Sequence, residues 1–314
     1  MANLYITGTD GWLGSRLIEV ASADHKVTPF KGDVRNANDC DAFFEQASDG
    51  ILIHLAGVIH PKLVKEFYEV NTHGTLNMLK AAHKAGIKRW VVMSSNSPIG
   101  CNTNKDSLFD ESSPYNPYLN YGKSKMEMEI ASKQWAKDTN SKLVLIRSPW
   151  FYGPNQPKRQ TLFFQLIKDG KFPLVGNGEN KRSMVYIDNL CQGLLLAALN
   201  KSVPSNTYWI ADETPYMMKD IIETVRSCLI ESNFKVANTY PKLPGFISDI
   251  AYATDVLIQA MGLYNQKIHV LSEMNKSIAC SVEKAKAELG YKPNISLKEG
   301  MMLSIKWCKE NGCI

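Results

Sequence analysis

The residues of this chain best suited to chemistry are Tyr121 and Lys125, in the stretch NPYLNYGKSKMEMEI over 116–130. Four residues apart on a helix, they share one face and can act together. A phenol with its ordinary pKa near ~10 is a poor base at neutral pH, but a neighbouring ammonium favours the phenolate. Tyr121 is therefore the candidate general acid/base. Tyr118 would need its partner at position 122, which is glycine, and it lies in the PYNPY turn before the helix; Lys123 points to another face. In MEMEI the methionines read as packing residues and the glutamates as solvent-facing ones.

A second constellation opens the chain. YITGTDGWLGSRL places Gly8, Gly11 and Gly14 directly after a first strand and at the mouth of a first helix. Glycine there lets the chain turn tightly and its backbone approach a pyrophosphate, while the helix N-terminus supplies donors and positive potential. A dinucleotide site follows from that placement. A nicotinamide bound there would carry positive charge in its oxidised form, which also favours a Tyr121 phenolate. In KVTPFKGDVRN, Lys31 follows the second strand and Asp33 stands two residues on. An acid at that place binds a ribose 2′-hydroxyl and a base accommodates a 2′-phosphate, so Lys31 tips the reading towards NADP, with NAD as the alternative.

These residues need a scaffold, and the apolar pattern supplies one. Short apolar runs at 3–7, 26–30, 51–57, 89–95 and 142–148 alternate with helix-length segments at 12–22, 36–48, 62–85 and 121–138. The alternation predicts an α/β fold: a Rossmann-type, doubly wound parallel sheet with helices on both faces. From about 150 the texture changes to loops rich in Pro and Gly, with strand-like SMVYI and TYWIA between helices. The expected division is a dinucleotide-binding domain over 1–149, with contributions from about 184–212, and a smaller, irregular substrate-binding lobe over 150–314. Ligands of open parallel sheets sit beyond the carboxyl ends of the strands, so the site belongs in a cleft between the two.

Composition narrows the classes. The chain has 314 residues, 44% of them hydrophobic, enough for a substantial core. Its formal charge of +5 is spread along the chain rather than gathered in a stripe, which argues against a nucleic-acid partner. No apolar run approaches the ~20 residues that span a bilayer and the N-terminus lacks a signal pattern, so no membrane partner and a cytoplasmic location are expected. Seven cysteines form neither CxxC nor a Cys/His zinc spacing; reduced thiols and no metal site are expected.

The GxxGxxG loop and the Tyr-xxx-Lys pair together resemble the extended short-chain dehydrogenase/reductase family, the NAD-dependent epimerase/dehydratase group. Further matches occur in the family's order: HLAG at 54–57, NTHGTLNML at 71–79, VVMSSNSPIG at 91–100, YGKSK at 121–125, IRSPWFYGPN at 146–155, GNGENKRSMVYIDN at 176–189 and ELGYKP at 288–293. The resemblance implies that Gly8, Gly11, Trp12, Leu13 and Gly14 line the pyrophosphate, and that Asp33 and Val34 line the adenine. It implies that Leu55, Ala56 and Gly57 pass beneath the adenosine and phosphates, that Asn71 lies near the centre of the cofactor site, and that Pro149 borders it. Lys125 would bond the nicotinamide ribose. Ser95, with Ser94 as the adjacent alternative, would hold the substrate oxygen being oxidised or reduced. A homodimer built on two helices per subunit, 62–85 and 121–138, is also implied.

The reaction can be narrowed. The dehydratase branch carries an Asp-Glu pair just after the catalytic hydroxyl; here Asn96, Ser97 and Pro98 stand there, without a carboxylate. Hydride transfer at a hydroxyl or keto carbon remains, as net oxidoreduction or as epimerisation through a ketone. Arg182 matches the arginine that holds the diphosphate of sugar-nucleotide members, which points to a nucleotide sugar. Trp150 stands where many such members have asparagine, and the C-terminal RxGD arginine is missing. Those departures resemble the 3β-hydroxysteroid dehydrogenase-like branch, with more apolar substrates. Asn96, Ser97, Asn155, Arg159 and Gln160 are further candidate substrate contacts. A non-catalytic NADP-binding sensor or scaffold on the same fold is the alternative of another class. His54 reads as a satisfied core residue, and His60, His73 and His83 have no catalytic partner at useful spacing.

Overall fold

The structure is a computed structural model and describes residues 1–314 except Ser48 and Lys105. Among the described residues twelve strands run in chain order: β1 Asn3–Thr7, β2 Lys26–Pro29, β3 Ile51–His54, β4 Arg89–Met93, β5 Lys142–Arg147, β6 Trp150–Tyr152, β7 Leu174–Val175, β8 Lys181–Arg182, β9 Met184–Tyr186, β10 Asn206–Trp209, β11 Tyr216–Met217 and β12 Lys242–Leu243. The helices are α1 Trp12–Ala21, α2 Ala37–Phe43, α3 Thr75–Lys84, α4 Leu119–Asp138, α5 Lys158–Lys168, α6 Ile187–Leu199, α7 Met218–Glu231, α8 Phe246–Ala260, α9 Gln266–Glu273, α10 Glu283–Leu289 and α11 Leu297–Glu310. A π-helical segment, Phe67–Gly74, leads into α3.

Six strands form one parallel sheet in the order β10-β5-β4-β3-β1-β2. Side chains alternate between its faces. Leu4 and Ile6 of β1 join a core with Leu17 of α1 and Leu190 and Leu194 of α6, while Tyr5 joins Cys40 of α2 and Met78 and Leu79 of α3 on the other face. Covering both faces is why these strands read as continuous apolar runs. The chain runs from β1 out to β2 and returns to β3 on β1's other side, so β1 and β3 flank the topological switch point where such sheets bind ligands.

The elements differ from the sequence expectation where tertiary contacts intervene. The run at 51–57 stops being strand at His54, because the N–H groups of Leu55 and Ala56 donate to Thr7 Oγ1 rather than to a strand. The helix expected over 62–85 begins at Lys65 and turns π-helical at Phe67: Leu63 bridges to Leu263 and Val64 N–H donates to Gly262 O, holding the stretch before it against the end of α8. The helix expected over 36–48 is only α2, and the last residue of that span lies outside the described residues. TYWIA supplies β10 of the main sheet, whereas SMVYI supplies β9, which pairs with β6 apart from it.

Candidate active site

The glycine loop forms the turn between β1 and α1, at the switch point. Gly8 has φ +71°, and a Cβ there would lie 2.8 Å from the backbone of Leu55 and Ala56. At Gly14 a Cβ would meet the Gly8 carbonyl at 2.1 Å. Only glycine permits both the turn and the close approach of β1, α1 and the segment after β3. A cavity of about 510 Å³ opens here, lined by Gly8, Gly11, Phe30, Asp33, Val34 and Ala56 among others. A floor of glycine backbone at a helix N-terminus fits the diphosphate of a dinucleotide.

The other implied cofactor residues are placed with more varied tasks. Trp12 packs on Phe151 with ring centroids 4.9 Å apart and its Nε1 donates to Pro154 O at 2.7 Å, so its indole ties the glycine loop to the segment after β5. Asp33 is bound by Arg35, which lowers its pKa, and its N–H donates to Asp39. Val34 and Leu13 are buried. Asn71 is wholly buried: its Oδ1 accepts from Val58 N and its Nδ2 donates to Val58 O and Ser124 Oγ. Its side chain pins the loop after β3 to α4 rather than pointing into open cofactor space. Lys31, read as a base for a 2′-phosphate, forms an exposed ion pair with Asp10 at 2.6 Å.

Tyr121 and Lys125 lie in the first two turns of α4. Lys125 is buried; its Nζ donates to Met93 O at 3.1 Å, at the end of β4, and lies 3.4 Å from where a Cβ on Gly57 would stand. Burial lowers its pKa from 10.5 to about 8, opposed in part by Glu129. Burial also raises the Tyr121 phenol, with the Ser95 hydroxyl pulling the other way, Glu273 adding to the rise and Arg159 opposing it. The protein's own groups thus hold Tyr121 as the neutral phenol. In the protein alone burial is the largest influence on the phenol and opposes the phenolate, and the Lys125 ammonium is turned to the Met93 carbonyl.

The two serines after β4 are separated by their partners. Ser94 Oγ donates to Glu129 Oε1 at 2.6 Å, whereas Ser95 Oγ lies 3.4 Å from Asn96 Oδ1 and from Ser97 Oγ and acts on Tyr121. Glu129, expected to face solvent, is instead fully buried. It takes a two-point contact from Arg147 (3.0 and 2.7 Å) and a bond from Tyr115 at 2.8 Å, and Arg147 stacks on Tyr115 and Trp209. Four donors surround this carboxylate, so it remains ionised despite burial and its pKa is lowered. Its position four residues after Lys125, on the same helical face, is the signal that could have found it.

Among the candidate substrate contacts, Arg159 is at the N-terminal end of α5, close enough to Tyr121, Tyr264 and His60 to influence their charge states. Gln160 is buried. Asn155 is exposed with φ +59°, Pro149 is buried just before β6, and Trp150 is partly exposed and packs edge-on against Phe163. Arg182 is farther round, its guanidinium donating to the Glu273 carbonyl at the end of α9. Sequence reasoning missed α8 and α9, which bring Glu273, the buried His269–Asp255 pair (2.7 Å) and Gln259 towards the start of α4; their polar residues sit at ordinary helical spacings and carry no motif. His54 is buried between Thr7 and Thr75, and burial lowers it to about 3, so it is neutral.

A parallel sheet with a glycine turn at its switch point and a Tyr/Lys helix beside a serine-bearing strand end defines a Rossmann-type dinucleotide enzyme of the extended short-chain dehydrogenase/reductase type. The family model "NAD dependent epimerase/dehydratase family" matches residues 4–211, and the chain belongs to that family. The chain is 51% identical over 283 residues to an uncharacterised protein of Sinorhizobium fredii, covering 90% of this chain and 80% of that one. It is 27% identical over 265 residues, 79% of each chain, to an N-acetyl-alpha-D-glucosaminyl-diphospho-ditrans,octacis-undecaprenol 4-epimerase of Escherichia coli O157:H7. Its fold is similar to that of the UDP-glucose 4-epimerase of Thermotoga maritima solved with UDP-glucose, with a TM-score of 0.79 at 18% identity over 98% of this chain and 99% of that one.

Proposed function

We propose that this enzyme transfers hydride reversibly at a hydroxyl-bearing carbon of a nucleotide sugar, as an oxidoreduction or as an epimerisation through a ketone, with Tyr121 moving the proton. The observation that carries the reading is the convergence of Tyr121, Lys125 and Ser95 beside the glycine turn. The nucleotide-sugar assignment is supported by family membership and by fold similarity to a UDP-glucose 4-epimerase; the Escherichia coli relative is named for a sugar joined through diphosphate to undecaprenol instead.

When bound, the nicotinamide would supply reversible hydride exchange with the substrate carbon. The chain's residues do the rest. Gly8, Gly11 and Gly14 with the start of α1 hold the diphosphate, and Asp33 with Val34 flank the adenine end. Ser95 holds the substrate oxygen. Tyr121 takes the hydroxyl proton as hydride leaves and gives it back on return. Lys125, fixed to the Met93 carbonyl and beside Gly57, reaches the ribose and supplies positive charge near the phenol. Asn96, Ser97, Trp150, Asn155, Arg159 and Arg182 form the substrate side; Arg182 meets the diphosphate once it leaves the Glu273 carbonyl. Asn71 acts by holding the loop after β3. NAD or NADP serves, and a homodimer in the cytoplasm is the expected form.

Replacing Tyr121 by Phe tests the reading. Turnover of UDP- or dTDP-sugars should fall by about a thousandfold with cofactor affinity unchanged. Full activity of Tyr121→Phe would sink the catalytic assignment. Absence of any thermal shift with millimolar UDP or dTDP would remove the nucleotide-sugar assignment while leaving the catalytic one standing.

A further inference from the structure

Helix α8 is built inside out. Three of its four buried positions, beside Ala251, are the polar Ser248, Asp255 and Gln259, each bonded inward: Ser248 to Leu271 O, Asp255 to His269 and Gln259 to Asn120. Its outer face is apolar. Phe246, Ile250 and Leu257 are each more than half exposed, as is Met261 just beyond the helix. Spacings of four, seven and four residues put these side chains in one stripe. Leu63 and Leu263, bridged to each other at the helix end, extend the same exposed apolar ground. An ordinary surface helix has the opposite pattern, and a patch of this kind marks an interaction surface.

Charge identifies what covers it. Lys242 precedes the helix, while Lys62 and Lys267 stand at its far end; all three are exposed, and among the described residues none makes an ion pair with a carboxylate. The exposed acid on the helix, Asp249, is bound to Lys276. A second copy is a poor fit: two α8 helices packed antiparallel about a twofold axis would set Lys242 of one against Lys62 and Lys267 of the other. The exposed faces of α3 and α4, the expected dimer helices, are by contrast largely charged, with Lys80, Lys84, Lys123, Glu127 and Lys133 around Ile130.

We propose that the outer face of α8 docks this enzyme on an anionic lipid bilayer, its apolar stripe entering the interface and Lys62, Lys242 and Lys267 meeting the headgroup phosphates. At 15 residues, α8 is ~22 Å long, too short to cross a bilayer but of a length that lies along its surface. Lysine stems can cover apolar surface while their ammonium groups reach outward, and each contributes attraction to an anionic leaflet. The inner edge of the same helix bonds Asn120 beside Tyr121, so the docking face and the catalytic helix share one rigid contact. The proposal does not depend on which nucleotide carries the sugar.

Vesicle flotation of the full-length protein tests it. Wild type should float with equimolar phosphatidylglycerol/phosphatidylcholine vesicles and not with phosphatidylcholine alone. The double variant Ile250→Glu/Leu257→Glu should lose about tenfold or more in bound fraction with its melting temperature and cofactor affinity kept. Lys62→Glu/Lys267→Glu should weaken binding to the anionic vesicles, as should high salt. Tyr121→Phe should float like wild type, which separates this proposal from the catalytic one. Wild type that stays out of the lipid fraction, or Ile250→Glu/Leu257→Glu that floats as well as wild type, overturns the proposal. So does a wild-type dimer that the α8 variant converts to monomer without any vesicle binding, which would assign the face to a second copy.

Discussion

Gln259 Oε1 accepts hydrogen bonds from both the backbone N–H and the side-chain Nδ2 of Asn120, at 3.1 and 2.9 Å. A residue 139 positions away thereby caps the first turn of α4, where Tyr118 at the N-cap provides no side-chain bond. Replacing Gln259 by Ala should cost about 1–2 kcal/mol of stability. Turnover should fall more than cofactor affinity, because the freed turn carries Tyr121. Melting temperature alongside kcat and the cofactor Kd would check this; unchanged kcat would mean the cap does not position the phenol.

At Gly8, positive φ and the backbone of Leu55 and Ala56 both oppose a side chain. Gly8→Ala should therefore push the β1 turn away from the segment after β3 and weaken dinucleotide binding by about tenfold or more. Gly86, also at positive φ but with open space around it, serves as a control for backbone strain alone. Cofactor titration of Gly8→Ala and Gly86→Ala reads the difference. Equal losses would assign the effect to strain rather than to the site.

Lys125 has a folded-state pKa of about 8 against an ordinary 10.5. Below pH 8 the ammonium is charged in both states, and the burial cost is present in full, about 3 kcal/mol by the size of the shift. Between pH 8 and 10.5 the unfolded chain retains a proton that the folded chain gives up, so this contribution to stability improves as pH rises. Lys125→Met should accordingly raise the melting temperature at pH 7 while abolishing turnover, and its advantage should shrink between pH 8 and 10. Thermal melts across that range check the sign.

The pair of Asp10 and Lys31 at the adenosine end bears on cofactor choice. Asp10→Asn removes a carboxylate and frees the ammonium, so affinity for NADP relative to NAD should rise several-fold, an effect of about 1 kcal/mol that weakens with salt. Paired titrations with both cofactors measure the ratio. An unchanged ratio would place the 2′ position beyond Lys31.

The alternation of apolar runs and helices, the glycine turn and the four-residue spacing of Tyr121 and Lys125 are local patterns, set by backbone sterics and helical periodicity. They are therefore legible in the chain itself, and the fold and family followed from them. Contacts between distant segments are not written locally. Burial, which only packing can produce, raises the Tyr121 phenol and lowers Lys125, and Ser94 is drawn to a carboxylate whose other partners, Arg147 and Tyr115, come from outside its helix. The reversed polarity of α8 also became visible only in the folded molecule, because an apolar helix sequence is indistinguishable from a core helix until its neighbours show which face they cover.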